Sequence, residues 1–191
     1  MARQSGRNRR VGGPHPFPDL QFVSTAAITA ATTLVVTGLA AGYDYIIVLE
    51  AFAPTADNEI IWMRWSDDGG STYEAGAADY GWGGSFVGAP VQDVSDSEIQ
   101  LSGTTGLGND ANNVSSIEIT LVNPNASGEQ TTCFWKGFML NSASTPEINN
   151  CNGGGRFIQG TDAVDAVQFL WSAGSTFKAQ GDITVWRRKR S

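Results

Sequence analysis

The sequence predicts an all-β protein, a two-sheet antiparallel sandwich of jelly-roll-like form, preceded by a flexible basic arm. Three observations lead there. From Leu20 onward, short runs rich in Val, Ile, Thr, Phe and Trp recur, each bounded by small, polar, Gly- or Pro-containing segments. Within several runs apolar and polar residues alternate, the pattern of a strand with one buried face. No helix of ordinary length is apparent, so the apolar faces have only one another to bury against, which leaves a sandwich or a barrel.

Residues 1–19 combine Arg, Gly and Pro without periodicity, and Pro14, Pro16 and Pro18 alternate in a way that favours extended chain, so this segment reads as the arm. The body, residues 20–186, opens with LQFVST, TLVVT, YDYIIVLEAF and NEIIWMRWS as strands. The following AGAADYGWGGSFVGAP is too glycine-rich for a helix and is expected to be a long loop with one short strand near Ser85–Phe86–Val87. Strands resume at EIQLS, SSIEITLV, TTCFWKGFML, AVQFLWS and DITVWR, with SASTPEINNCNGGG read as a long connection. In SSIEITLV, Ile117, Ile119 and Leu121 face one way and Glu118 and Thr120 the other; Ile183 and Val185 alternate likewise with Thr184 and Trp186. About nine or ten strands are expected in all. Residues 187–191 form a basic C-terminal tail.

Charge is unevenly distributed. Eight of the 12 basic residues are terminal: Arg3, Arg7, Arg9 and Arg10 at one end, Arg187, Arg188, Lys189 and Arg190 at the other. The net charge of −7 therefore averages two +4 ends against residues 11–186, in which 19 acids meet four bases, a formal −15. Only 16% of the 191 residues are charged, against roughly 25% in ordinary domains, and six tryptophans exceed what a disordered chain could use. The longest apolar region, Tyr45 to Ala53, is interrupted by Glu50 and falls far short of the roughly 20 residues of a membrane helix. No signal peptide is visible, which predicts synthesis in the cytoplasm. Cys133 and Cys151 form no CxxC pair and are expected to be free thiols. His15 is the sole histidine and lies in the arm, so histidine-based triads and zinc sites lose their raw material, and the chain is expected to be no enzyme and to hold no cofactor or metal.

The sharpest local pattern is Ser66-Asp67-Asp68-Gly69-Gly70-Ser71-Thr72-Tyr73. It suits a hairpin turn, with Thr72 and Tyr73 on the returning strand, and resembles the Asp box, with Ser66, Asp68, Gly70 and Thr72 in the motif positions and Tyr73 in place of the usual Trp or Phe. Asp boxes recur once per blade in sialidase-like propellers, away from the catalytic site; one copy implies a structural hairpin. Asp67 and Asp68 lack the spacing of a calcium loop, and Asn109, Asp110, Asn112 and Asn113 read first as turn residues. GTTGLG at 103–108 lacks the Lys-Ser/Thr ending of a phosphate loop. Asp162 and Asp165 could serve a glycosidase only at a defined separation across a sugar, and solvated surface charge is the simpler account. Trp62, Trp65, Tyr73, Tyr80 and Trp82 fall close together and are candidates for a ligand or subunit contact, since sugar rings pack on flat apolar faces; alternation requires Trp62 or Trp65 to be core. The basic ends could neutralise phosphates, but the acidic body would repel a duplex, so docking onto an acidic protein surface is favoured over nucleic acid.

Taken together, FVSTAAITAATTLVVTGLAAGYDYIIVLEAF, WSDDGGSTY, the GxGND loop, IEITLVNP and VDAVQFLWSAGSTFKAQGDITVW resemble small β-sandwich virion proteins of tailed bacteriophages, over about residues 22 to 186. The resemblance implies a structural protein of the virion acting in assembly or adsorption, and carries over no catalytic residue. The expectation is a symmetric oligomer, a homotrimer, anchored to other virion proteins by its arm and serving as a tail-fibre or adhesin component that contacts host surface polysaccharide. A capsid decoration protein is the alternative, and a carbohydrate-binding or glycan-processing protein a further one.

Overall fold

A computed structural model describes residues 20–86, 89–110, 114–142, 147–158, 160 and 163–190. Among them are twelve strands in two antiparallel sheets, and no helix long and apolar enough to cross a membrane. The arm, with Arg3, Arg7, Arg9 and Arg10, lies outside the described residues, as do Asn112, Asn113 and Asp162.

The larger sheet has eight strands: β1 (Leu20–Ala27), β3 (Tyr43–Phe52), β5 (Tyr80–Phe86), β6 (Ala89–Asp96), β8 (Ser115–Val122), β9 (Thr132–Leu140), β10 (Ile148–Phe157) and β12 (Asp182–Lys189). Their spatial order is β1-β12-β3-β8-β9-β10-β5-β6. The smaller sheet takes β2 (Thr33–Thr37), β4 (Ile61–Ser66), β7 (Ile99–Gln100) and β11 (Ala166–Trp171) in the order β2-β11-β4-β7.

With the antiparallel pairs β5–β6 and β9–β10 set aside, the remaining eight strands stand as β1-β12-β3-β8 over β2-β11-β4-β7. In that reduced set the chain passes from one sheet to the other between β1 and β2, β2 and β3, β3 and β4, β7 and β8, β8 and β11, and β11 and β12. This is the double Greek-key winding of a jelly roll. The four set-aside strands continue the larger sheet beyond β8, so the molecule is a jelly-roll sandwich with a lateral extension.

Alternation builds the core. Ile47, Leu49, Ile117, Ile119, Leu121, Ile183 and Val185 face inward from the larger sheet. Ile61, Met63, Trp65, Val167, Phe169 and Trp171 face inward from the smaller, all at 1% exposure or less. Each fully buried aliphatic or Phe side chain contributes about 1.5–3 kcal/mol through surface removed from water. The free thiols Cys133 and Cys151 are buried in the extension, and burial pushes each up to about 12, so neither is a ready nucleophile.

The structure departs from the sequence expectation in the glycine-rich segments. Residues 75–90 hold all of β5 and the start of β6 rather than a loop with one short strand, and the expected connection at 142–155 contains most of β10. Glycine and asparagine have low strand propensity. Tertiary pairing overrides it here, because β10 is bonded on both sides, by β9 and by β5. Conversely EIQLS shrinks to the two residues of β7, since Leu101 begins a turn.

Candidate functional site

The outer face of the larger sheet carries a row that crosses all eight strands: Phe22, Trp186, Ile46, Thr120, Phe134, Gly154, Gly83 and Gln92 are successive register partners. In the extension two members of the row have no side chain. With strands about 4.8 Å apart, the side chains of β9 and β6 flank a gap of about 14 Å floored by backbone.

That gap is a groove of about 420 Å³. Gly81, Gly83, Gly154 and Gly155 contribute to its lining; Phe134 walls one side and Gln92, Asp93 and Val94 the other, with Thr132, Arg156 and Ile158 completing it. Phe134 is 60% exposed and Val94 74%, so the walls present apolar surface to solvent. A second depression of about 210 Å³ lies along Glu118, Thr120 and Lys136 and shares Phe134, which makes the ring a ridge between two hollows.

The body's four cations are differently placed. Arg64 pairs with buried Glu98 at 3.1 Å, Lys136 with Glu118 at 3.1 Å, and Lys178 donates to the carbonyls of Asn109 and Asp110. Arg156 meets no carboxylate among the described residues; its contact is a 3.5 Å approach to Gln130 Oε1. It stands exposed at the groove.

The aromatic candidates separate. Trp65 and Tyr80 are fully buried and packed edge to face at 5.7 Å, and the Tyr80 hydroxyl accepts from Trp65 N and donates to the Glu74 carbonyl. As ligand contacts both are corrected: they staple β4 to β5 inside the core, and burial drives the Tyr80 pKa up. Trp82 is 6% exposed with Nε1 donating to Asp96, largely buried yet among the residues that line the groove. Trp62, half-buried on the outer face of the smaller sheet, lies beneath the Arg64 guanidinium at 5.7 Å. Tyr73 is half-buried beside the Asp68 loop; burial, then Asp68 and Asp165, raises its pKa.

The 66–73 loop is built by side-chain bonds. Asp68 accepts from Thr72 N, Thr72 Oγ1 and Ser66 Oγ, while Ser66 Oγ accepts from Gly70 N at 2.9 Å. Gly69 and Gly70 take the positive φ values of 76° and 86° that the tight loop requires. The bonds from Thr72 and Ser66 hold the Asp68 pKa down at about 2. The returning strand expected at Thr72–Tyr73 is absent: Glu74 N reaches Trp65 O, but β4 takes its ladder partners from β11 and β7. Asp165 also serves this loop, accepting from Gly69 N at 3.0 Å. Among the described residues no three His, Cys, Asp or Glu side chains gather as a metal site.

The C-terminal basic residues are part of the sheet. Strand β12 runs on through Arg187, Arg188 and Lys189, so the separate tail expected from residue 187 is corrected: the ladder to β3 extends to Lys189. Asp44, largely buried, accepts from Arg188 and Arg190 at 2.9 Å and from Asn123 N. Burial alone would raise its pKa, but these bonds and the Arg190 charge outweigh burial and lower it. Arg187 lies over the Tyr43 ring at 4.3 Å. Asp44 thus pairs with two of these cations, while Arg187 and Lys189 meet no carboxylate among the described residues, and the segment stays basic.

Sequence reasoning missed Phe134, Arg156, Gly83 and Gly154. The signal was two separate glycine runs, GWGG and GGG, each beside aromatic or apolar residues, but their pairing is a tertiary fact. Fold and site together define a jelly-roll sandwich with a basic corner at one edge and an open groove toward the other. The chain matches no family model, no curated protein and no solved structure.

Proposed function

We propose that this chain is a non-enzymatic structural subunit of a bacteriophage virion, made in the host cytoplasm, anchored by its basic ends and presenting its far edge to host surface glycans as a fibre or adhesin component. One observation supports it above the rest: the C-terminal basic segment pairs with the strand on which the described residues begin, at one edge of the larger sheet. The arm of residues 1–19 joins the chain at Leu20, whose register partner is Arg188. The groove lies between β9 and β6, five strand spacings or about 24 Å from β12 to β5. A tether at one edge and a recess toward the other suit a protein held to a particle and reaching outward.

The exposure of all eight β1 residues, including Leu20, Phe22 and Val23, favours a symmetric oligomer, a homotrimer, using this edge strand. A capsid decoration protein would use the same anchor, and the basic corner beside a bare edge favours that second reading. Replacing Arg3, Arg7, Arg9 and Arg10 by Gln in the full chain should abolish incorporation into particles while thermal unfolding is unchanged. Incorporation at the normal level would overturn the anchor. An adhesin, unlike a decoration protein, also loses host adsorption when its groove is filled by Gly154→Leu.

A further inference from the structure

We infer that the glycine-floored groove binds a sugar ring carrying a carboxylate, a hexuronate unit of an acidic polysaccharide, with the ring against Phe134 and the carboxylate on Arg156. This gives a ligand class to the glycan-contact reading above and rests on that reading for its biological setting.

Shape comes first. A volume of about 420 Å³ falls in the range of small-molecule sites, roughly 300–1,000 Å³. Its floor is open without being demanded by packing. A Cβ on Gly154 would meet Cys133 O at 3.3 Å and the Phe134 ring edge at 3.4 Å, and one on Gly83 would meet Gln92 Cβ at 3.3 Å. Those contacts are tight but tolerable, so side chains could stand here, and their absence is what makes the recess.

The lining chemistry suits a sugar better than an apolar ligand. Phe134 offers a flat face at 60% exposure, against which the C–H face of a pyranose packs, and Gln92, Asp93 and Thr132 supply an amide, a carboxylate and a hydroxyl for ring hydroxyls. Their mixture of donors and acceptors matches a ligand with hydroxyls on its rim.

Charge then narrows the class. Arg156 lines the groove and, unlike Arg64, Lys136 and Lys178, has no carboxylate or backbone carbonyl partner among the described residues, its contact being the long 3.5 Å bond to the Gln130 amide oxygen. Its planar fork matches a carboxylate bidentately. A dianionic phosphate ester would add a second charge next to Asp93 in a stretch, residues 11–186, of formal charge −15, whereas one carboxylate is balanced by the one guanidinium.

The test titrates the full chain with galacturonate, mannuronate and glucuronate trisaccharides, each beside its neutral hexose counterpart, by calorimetry at low salt. At least one uronate should bind about tenfold or more tightly than its neutral counterpart, a margin equal to about 1.4 kcal/mol, and should weaken as salt rises. Arg156→Gln should bring the two to parity. Phe134→Ala should weaken both about tenfold. Both variants alter exposed side chains and should unfold at the same temperature as the parent. Equal binding of the neutral sugars, no binding of any uronate, or a preference that survives Arg156→Gln overturns the inference. The particle-incorporation experiment is independent of the groove, so the virion reading stands or falls separately.

Discussion

Gly153 and Gly154 are neighbours in sequence, identical in side chain, and opposite in meaning. Gly153 faces the core: a Cβ there would lie 2.3 Å from Trp135 Cζ2 and 2.7 Å from Gly83 O. Gly154 faces out, and its Cβ would meet nothing nearer than 3.3 Å. The same division runs through β5, where a Cβ on Gly84 would strike Asn152 O at 2.5 Å and one on Gly83 would meet Gln92 Cβ at 3.3 Å. Inside, glycine is imposed by the indole of Trp135 lying across its register partner; outside, glycine leaves a floor for something else. Strand alternation alone assigns the two roles.

The largest expected effect comes from adding one methyl group on the inner side. Gly153→Ala should destabilise the protein by about 3 kcal/mol, because backbone as well as ring must shift. Denaturant unfolding measures it, and Trp135→Leu in the same chain should recover part of the loss, giving a non-additive cycle. A fully additive pair would show that the indole is not what excludes the methyl group.

An intermediate effect belongs to the far side of the same sheet, where an ion pair replaces packing. Asp44→Asn should cost about 1 kcal/mol at pH 7, since Arg188 and Arg190 remain partly solvated. The folded pKa of Asp44 is lowered, so its contribution is complete above the unfolded carboxylate value near pH 4 and is lost as pH falls through the folded value. The gap between parent and variant should therefore hold from pH 7 to roughly pH 4 and close below it. A gap that closes between pH 7 and 5 would contradict this sign.

The smallest effect is the one that sharpens the contrast. Gly154→Ala should change stability by no more than about 0.5 kcal/mol, the methyl group's contacts offset by the entropy that glycine loses on folding. If it matches Gly153→Ala, the two faces are equally packed and the groove is no recess.

Legibility followed the range of the interactions. The Ser66–Tyr73 loop could be read from eight letters because its bonds close within four residues, Asp68 to Thr72 and Ser66 to Gly70. The absence of a returning strand after it could not, because β11 reaches β4 from a hundred residues along the chain. The alternation of Ile117, Ile119 and Leu121 gave the buried face of β8 correctly. Clustering of Trp62, Trp65, Tyr80 and Trp82 in sequence misled, since neighbours on a strand point to opposite faces and the segment crosses from one sheet to the other.

By itself the sequence determined that this is an all-β sandwich, where most of its strands run and which residues of those strands turn inward, because the period of two is a local property of the backbone. It also determined that charge gathers at the two ends. Only the tertiary structure decided that the C-terminal basic residues continue a strand paired with β1, that two glycine runs lie side by side as central strands, and that Phe134 and Arg156 border the same recess. Each is a register between strands remote in sequence, set by which faces can bury together, and that is a property of the folded sheet rather than of any one segment.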